Sequence, residues 1–262
     1  MGFKAYLTET DKERIEQNCA VVSNTAKHTI PFFLSLFTVG AFLNDKLQSM
    51  TMRIVGFAVS YVVFFLIIKL IVLLVKAKRE LTARAAVRQM DDFVVECTSH
   101  ISEFHLPDQT PNDKIALRSE IAYAYVGLFS VYFQFTYLEL PYFRRRESNV
   151  FYKKKGNKNP LFYLTIVYLL CNAARIANAD DRTVAEKRYT FYVEACVNAN
   201  TYDRIGYENE SEKVFRSGAD HVPETILSAL QSHPQDKKAF EHYILTQFYG
   251  LYPKFKGWEW KI

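Results

Sequence analysis

The sequence predicts an all-α protein: an N-terminal transmembrane helical hairpin followed by a cytoplasmic helical bundle. Three observations predict it: an apolar run over residues 54–75, helical spacing of apolar residues through most of the remaining chain, and a scarcity of strand-like alternation. With 262 residues, 49% of them hydrophobic and only 9 Gly and 8 Pro, the chain is long enough for a substantial core, and collagen-like and low-complexity classes are excluded. Cys19, Cys97, Cys171 and Cys196 are far apart and lack CxxC spacing, so neither a disulfide scaffold nor a zinc knuckle is expected. The net charge of +5 is too small an excess to predict nucleic acid as a partner.

The run 54–75 (IVGFAVSYVVFFLIIKLIVLLV) would span roughly 33 Å as a helix, the thickness of a bilayer core. Its one charge, Lys69, lies near the end, where a long stem can snorkel toward Lys76, Lys78 and Arg79. A second apolar stretch, 29–43, is short for a span and also suits an interfacial or re-entrant segment; helix beginning after Ser23 supplies the missing length. Basic residues flank the pair on both outer sides, while the connection holds only Lys46 and Arg53. Both termini are therefore expected on the cytoplasmic or an equivalent face of a bacterial or organellar inner membrane. The polar first 28 residues argue against a cleaved signal peptide.

Beyond the membrane, Ala83, Val87, Met90, Val94, Cys97, Ile101 and Phe104 recur at alternating steps of four and three. This is a heptad seam, suited to packing on the chain's own domain or to pairing as a stalk. Two prolines over 105–111 then break the helix. Residues 121–138 are uncharged, but a third span would carry the following basic cluster to the outer face, so a buried or membrane-surface helix is predicted. In that cluster Arg144, Arg145, Arg146, Lys153, Lys154 and Lys155 are candidates for contact with anionic lipid headgroups. Residues 161–177 are apolar almost all round, as in the central helix of a bundle. Thr183 and Glu186 have capping-box spacing, and further helices are expected near 211–218, 223–230 and 235–249. The divisions that follow are 1–76 (anchor), 77–112 (stalk and break), 113–156 (aromatic helix and basic linker), 157–250 (helical domain) and 251–262 (aromatic tail).

The run 169–186 (LLCNAARIANADDRTVAE), with Ala179, Asp180, Val184 and Glu186 in register, resembles the signature of TerB-like domains, in which an apolar helix ends in Ala-Asp-Gly before a capped acidic helix. The similarity covers about 90 residues, and Asp181 stands where the family has glycine, although Asp tolerates positive φ better than most residues. The resemblance implies a membrane-associated interaction or sensing module.

No phosphate-cradling loop, GxSxG elbow, HExxH or EF-hand spacing occurs, so an enzyme is not expected, nor a cofactor. Asp180, Asp181 and Glu186 form an acidic cluster that could supply part of a Ca²⁺ shell, but a helix start explains it better, and no metal is predicted. The leading expectation is a non-enzymatic membrane protein that presents its helical domain to a protein partner. An accessory subunit of a large membrane complex is the alternative, drawn from Tyr252, Phe255, Trp258 and Trp260 as an exposed partner interface. An oligomeric pore, with Lys69 and the seam facing a central axis, is the second; a homo-oligomer is among the partners considered.

Overall fold

The computed structural model describes residues 2–43, 49–100, 111–139, 160–180, 182–202, 211–230 and 234–258, and all regular elements among them are helical. A 3-10 turn at Phe3–Tyr6 precedes α1 (Glu9–Asn18), α2 (Asn24–Thr38), α3 (Met50–Ser99), α4 (Pro111–Glu139), α5 (Pro160–Ile176), α6 (Thr183–Tyr202), α7 (Ser211–Asp220), α8 (Val222–Ala229), α9 (Lys237–Tyr249) and α10 (Leu251–Lys256). They form two compact units, Arg14–Leu81 and Met1–Glu13 with Thr82–Ile262.

In the smaller unit, Ser23 caps α2, its Oγ accepting from Ala26 N at 3.1 Å. Pro31 lies inside this helix, and a π turn at Val39–Leu43 continues it, so helical backbone covers 24–43. Aromatic contacts fix an antiparallel pairing with α3. Phe32 meets Phe57 edge-on at 5.4 Å, the His28 ring stacks on Phe65 at 5.3 Å, and His28 Nδ1 shares a 3.1 Å hydrogen bond with the Tyr61 hydroxyl. Further along, Arg79 Nη1 donates to the Cys19 carbonyl at 2.9 Å.

The larger unit is centred on α4. Every residue from 121 to 133 is buried, and the helix packs on α5, α6, α7 and α8. Its 121–138 stretch was expected to be either buried or at a membrane surface; 121–133 is buried in protein. Gly127 permits the approach of α6, since a Cβ there would lie 2.7 Å from the Tyr192 Cβ. The seam on α3 is also internal: Ala83, Ala86, Val87, Met90, Phe93, Val94 and Cys97 are all buried, with Phe93 against Tyr125 and Phe248. Ile101 and Phe104 lie outside the described residues. The compact unit therefore unites α3's second half, α4 and the N-terminal 13 residues with the region delimited as 157–250.

α5 ends in a Schellman turn. Asn178 takes the left-handed conformation (φ 50°), its N–H bonds the Arg175 carbonyl at 3.1 Å, and Ala179 N–H reaches the Ala174 carbonyl at 3.1 Å. The residue with positive φ in this turn is thus Asn178, three positions before the site where the TerB signature carries glycine. The expected capping box at Thr183 is corrected as well. Arg182 occupies the cap position, its carbonyl accepting from Glu186 N at 2.9 Å, and the Glu186 carboxylate is held by the Arg182 guanidinium. A reciprocal box stands instead at Thr8 and Asp11: Asp11 N donates to Thr8 Oγ1 at 3.1 Å, and Thr8 N donates to Asp11 Oδ2 at 3.0 Å.

Candidate functional site: an apolar hairpin and the ion pairs of the helical unit

α3 is the one described helix long and apolar enough to cross a membrane, and its most apolar window is not buried by the chain at all. Away from the half-covered face toward α2 its side chains are open, Ile54 at 61%, Leu66 at 56% and Leu74 at 60%. On α2, Phe33 and Phe37 are similarly exposed at 61% and 63%. An apolar surface this continuous is not left in water by soluble chains, so its chemistry is that of a lipid- or protein-covered face.

The larger unit holds three ionic clusters. Asp11, from the N-terminal segment, accepts two bonds from Arg182, one of them from Nη2 at 2.9 Å, and both side chains are almost fully buried. Burial alone would raise the Asp11 carboxyl, but the bonds from Thr8 and Arg182 outweigh it and hold the group below the usual carboxylate range. The 3-10 turn packs on α5 beside this pair, with Phe3 5.2 Å from Tyr168 and Lys4 over the same ring. A buried pair that loses one partner leaves the other charge uncompensated, so this contact ties the N-terminal segment firmly to α5 and α6.

The second cluster joins α4 to α6. Glu120 accepts from Arg188 Nε at 3.0 Å and from the Tyr192 hydroxyl at 2.8 Å. Burial, then the neighbouring Glu120 charge, raises the Tyr192 phenol well above its ordinary value. The third braces α3 on α5, where Asp91 receives Arg175 Nη2 at 2.6 Å and Asn172 Nδ2 at 3.1 Å. Each cluster crosslinks helices or segments of the larger unit.

Three of the four thiols are buried. Burial pushes Cys171 up to about 11, with the Arg182 contact offsetting part of that rise, and pushes Cys97 and Cys196 up to about 12. They remain protonated at neutral pH and act as small core residues.

The sequence-predicted sites fall as follows. Arg144, Arg145, Arg146, Lys153, Lys154, Lys155, Asp181 and Trp260 lie outside the described residues. Phe255 and Trp258, expected to face a partner, are buried in the chain's own core: Phe255 packs against Tyr125, Phe129 and Phe215, because α10 turns back from Gly250 onto α4. Tyr252 is half-buried against Tyr132 and Phe215. Asp180 is exposed, and Glu186 serves Arg182; among the described residues no group of three His, Cys, Asp or Glu could hold a metal ion. Sequence reasoning missed Asp11 and Arg182. The Thr8–Asp11 box spacing was the available signal for the first, and nothing in sequence links two residues so far apart.

Comparison of the chain with protein-family models, with curated proteins and with solved structures gives no match in any of the three.

Proposed function

We propose that this chain is a membrane-anchored, non-enzymatic interaction protein, crossing the bilayer twice through 24–43 and 54–75 and presenting its helical unit to a protein partner at the membrane surface. The observation that carries the reading is the buried Asp11–Arg182 pair. One residue precedes the hairpin and the other follows it, yet both belong to the same compact unit. For a chain that enters a bilayer, this supports a return to the side it left and an even number of crossings between them. A single crossing by α3 would put the two residues on opposite faces. α2 and its π turn, 15 and 5 residues, supply about 30 Å of helix for the return. The bias of Lys and Arg toward both outer flanks favours the cytoplasmic or equivalent face for the helical unit.

The likeness of 157–250 to TerB-like domains supports interaction or sensing as that unit's role. The accessory-subunit reading loses its aromatic tail surface, since Phe255 and Trp258 are internal, and the pore reading loses the seam, which the chain's own helices cover.

The test is topology. Cysteines at exposed Thr10, Ser49 and Ser228 are labelled in intact cells with an impermeant thiol reagent after Cys19→Ser, with alkaline carbonate extraction as the anchoring control. Ser49→Cys should label from outside, while Thr10→Cys and Ser228→Cys should not. Thr10 and Ser228 on opposite faces, or release of the protein by carbonate, would defeat the reading.

A further inference from the structure

The two apolar stretches of the hairpin are out of step. Pairing runs from Phe32 with Phe57, through His28 with Tyr61 and Phe65, to the Cys19 carbonyl with Arg79, so residues 19–28 lie beside the 65–79 stretch of α3. On α3 that stretch is apolar to Val75 apart from the exposed Lys69, and Leu66, Leu70, Leu73 and Leu74 are more than half exposed. Its neighbour is of the opposite character. Residues 19–23 are not helical, Ser23 and Thr25 are exposed, and the first turn of α2 brings its amides together with Lys27 and His28. Lipid-exposed non-helical backbone is not tolerated in hydrocarbon, because its polar groups find no partner there. The polar start of α2 thus sits roughly 15 Å, about ten residues, below the level at which α3 stops being apolar. Tilting the pair cannot reconcile them: with axes 8–10 Å apart, a tilt of about 40° offsets their depths by only about 6 Å.

We propose that the bilayer is indented on the α2 side of the hairpin, so that water and phospholipid headgroups reach down to Thr25 and His28 while hydrocarbon covers the opposite face of α3 at the same depth. On the paired segments Lys27, Lys69, Lys76, Lys78 and Arg79 outnumber Glu80, which suits anionic headgroups. Locally the membrane is thinned on one side, so the anchor deforms the leaflet at the end of the hairpin where α2 begins. The inference rests on the two-crossing reading given above.

Paired single-cysteine variants, Thr25→Cys and Leu66→Cys in a Cys19→Ser background, test it in the full chain reconstituted into phosphatidylcholine–phosphatidylglycerol vesicles, with impermeant thiol reagent on both sides. Both positions are exposed and close in depth, so neither change disturbs packing. Thr25→Cys should react at least about tenfold faster than Leu66→Cys. A fluorophore at position 25 should be quenched by headgroup-labelled nitroxide lipid, and one at position 66 by lipid labelled near the acyl-chain end. Equal rates, fast or slow, or the same quencher preference at both positions, would overturn the notch while leaving the anchor standing. Failure of the protein to float with the vesicles would overturn the anchor, and the notch with it.

Discussion

Residues 54–75 and 83–97 belong to one uninterrupted helix, yet their apolar side chains meet opposite fates. In the first stretch no side chain is fully buried and only the face of Phe57, Tyr61 and Phe65 is half-covered, by α2; in the second Ala83, Ala86, Val87, Met90, Phe93, Val94 and Cys97 are at most 3% exposed. Apolar content alone does not separate them; its angular distribution around the helix axis does. In 83–97 apolar residues hold one stripe, with Arg84, Arg88, Asp92 and Glu96 on the other face, so a single protein surface can cover them. In 54–75 they occupy every face, and beyond the one that α2 half-covers only a medium that surrounds the helix pair can cover them.

That contrast is sharpest where the chain closes over itself. Phe255→Ala removes a fully buried ring that touches Tyr125, Phe129, Tyr132 and Phe215, and should cost about 4 kcal/mol in a denaturant titration of the full chain in mild detergent. A loss under about 1 kcal/mol would place α10 outside the core.

Asp11→Ala leaves the Arg182 guanidinium buried without its main partner and should cost about 3 kcal/mol. Its pH dependence follows from the depressed carboxyl: the contribution is complete above about pH 4 and disappears as pH falls through the lowered folded value. Denaturation midpoints measured across acid pH should therefore fall less steeply in Asp11→Asn than in the wild type. A parallel pair of curves would mean that Asp11 titrates like a surface group.

Asn178→Ala forces an alanine into the left-handed region and should cost about 1 kcal/mol, whereas Asn178→Gly should hold or slightly raise stability. Equal stability for both variants would remove the Schellman turn as the stop of α5. The smallest effect belongs to the unburied stretch. Leu70→Ala, at a position 57% exposed, should change the detergent midpoint by less than about 0.5 kcal/mol. A loss comparable to that of Phe255→Ala would mean that protein, and not lipid or detergent, covers 54–75.

The elements that were legible in sequence are those whose signal is local. Ser23 before an apolar helix, the stripe on α3 and the apolar run that forms α5 are each decided within a few residues. The failures are non-local or ambiguous between neighbours. Thr183 and Thr8 both precede an acidic residue by three positions, but one helix begins after Thr8 and the other after Arg182, so only Thr8 stands at the cap. Phe255 sits in a short helix with no periodic partners, so nothing local distinguishes a core ring from an exposed one; the hydrophobic space it fills is made by α4, more than a hundred residues earlier. Asp11 and Arg182 are 171 positions apart and read individually as surface charges.

That separation sets an order of events during synthesis. Residue 11 leaves the ribosome first among the groups of its cluster, but the guanidinium it needs is made 171 residues later, after the whole hairpin. At roughly 5–20 residues per second, about ten to thirty seconds pass with the N-terminal carboxylate unpaired. The first thirteen residues thus cannot take their place in the compact unit until α6 has been translated. The hairpin is complete while that unit is still open, and the part of the chain that was born first waits for a partner made well after it.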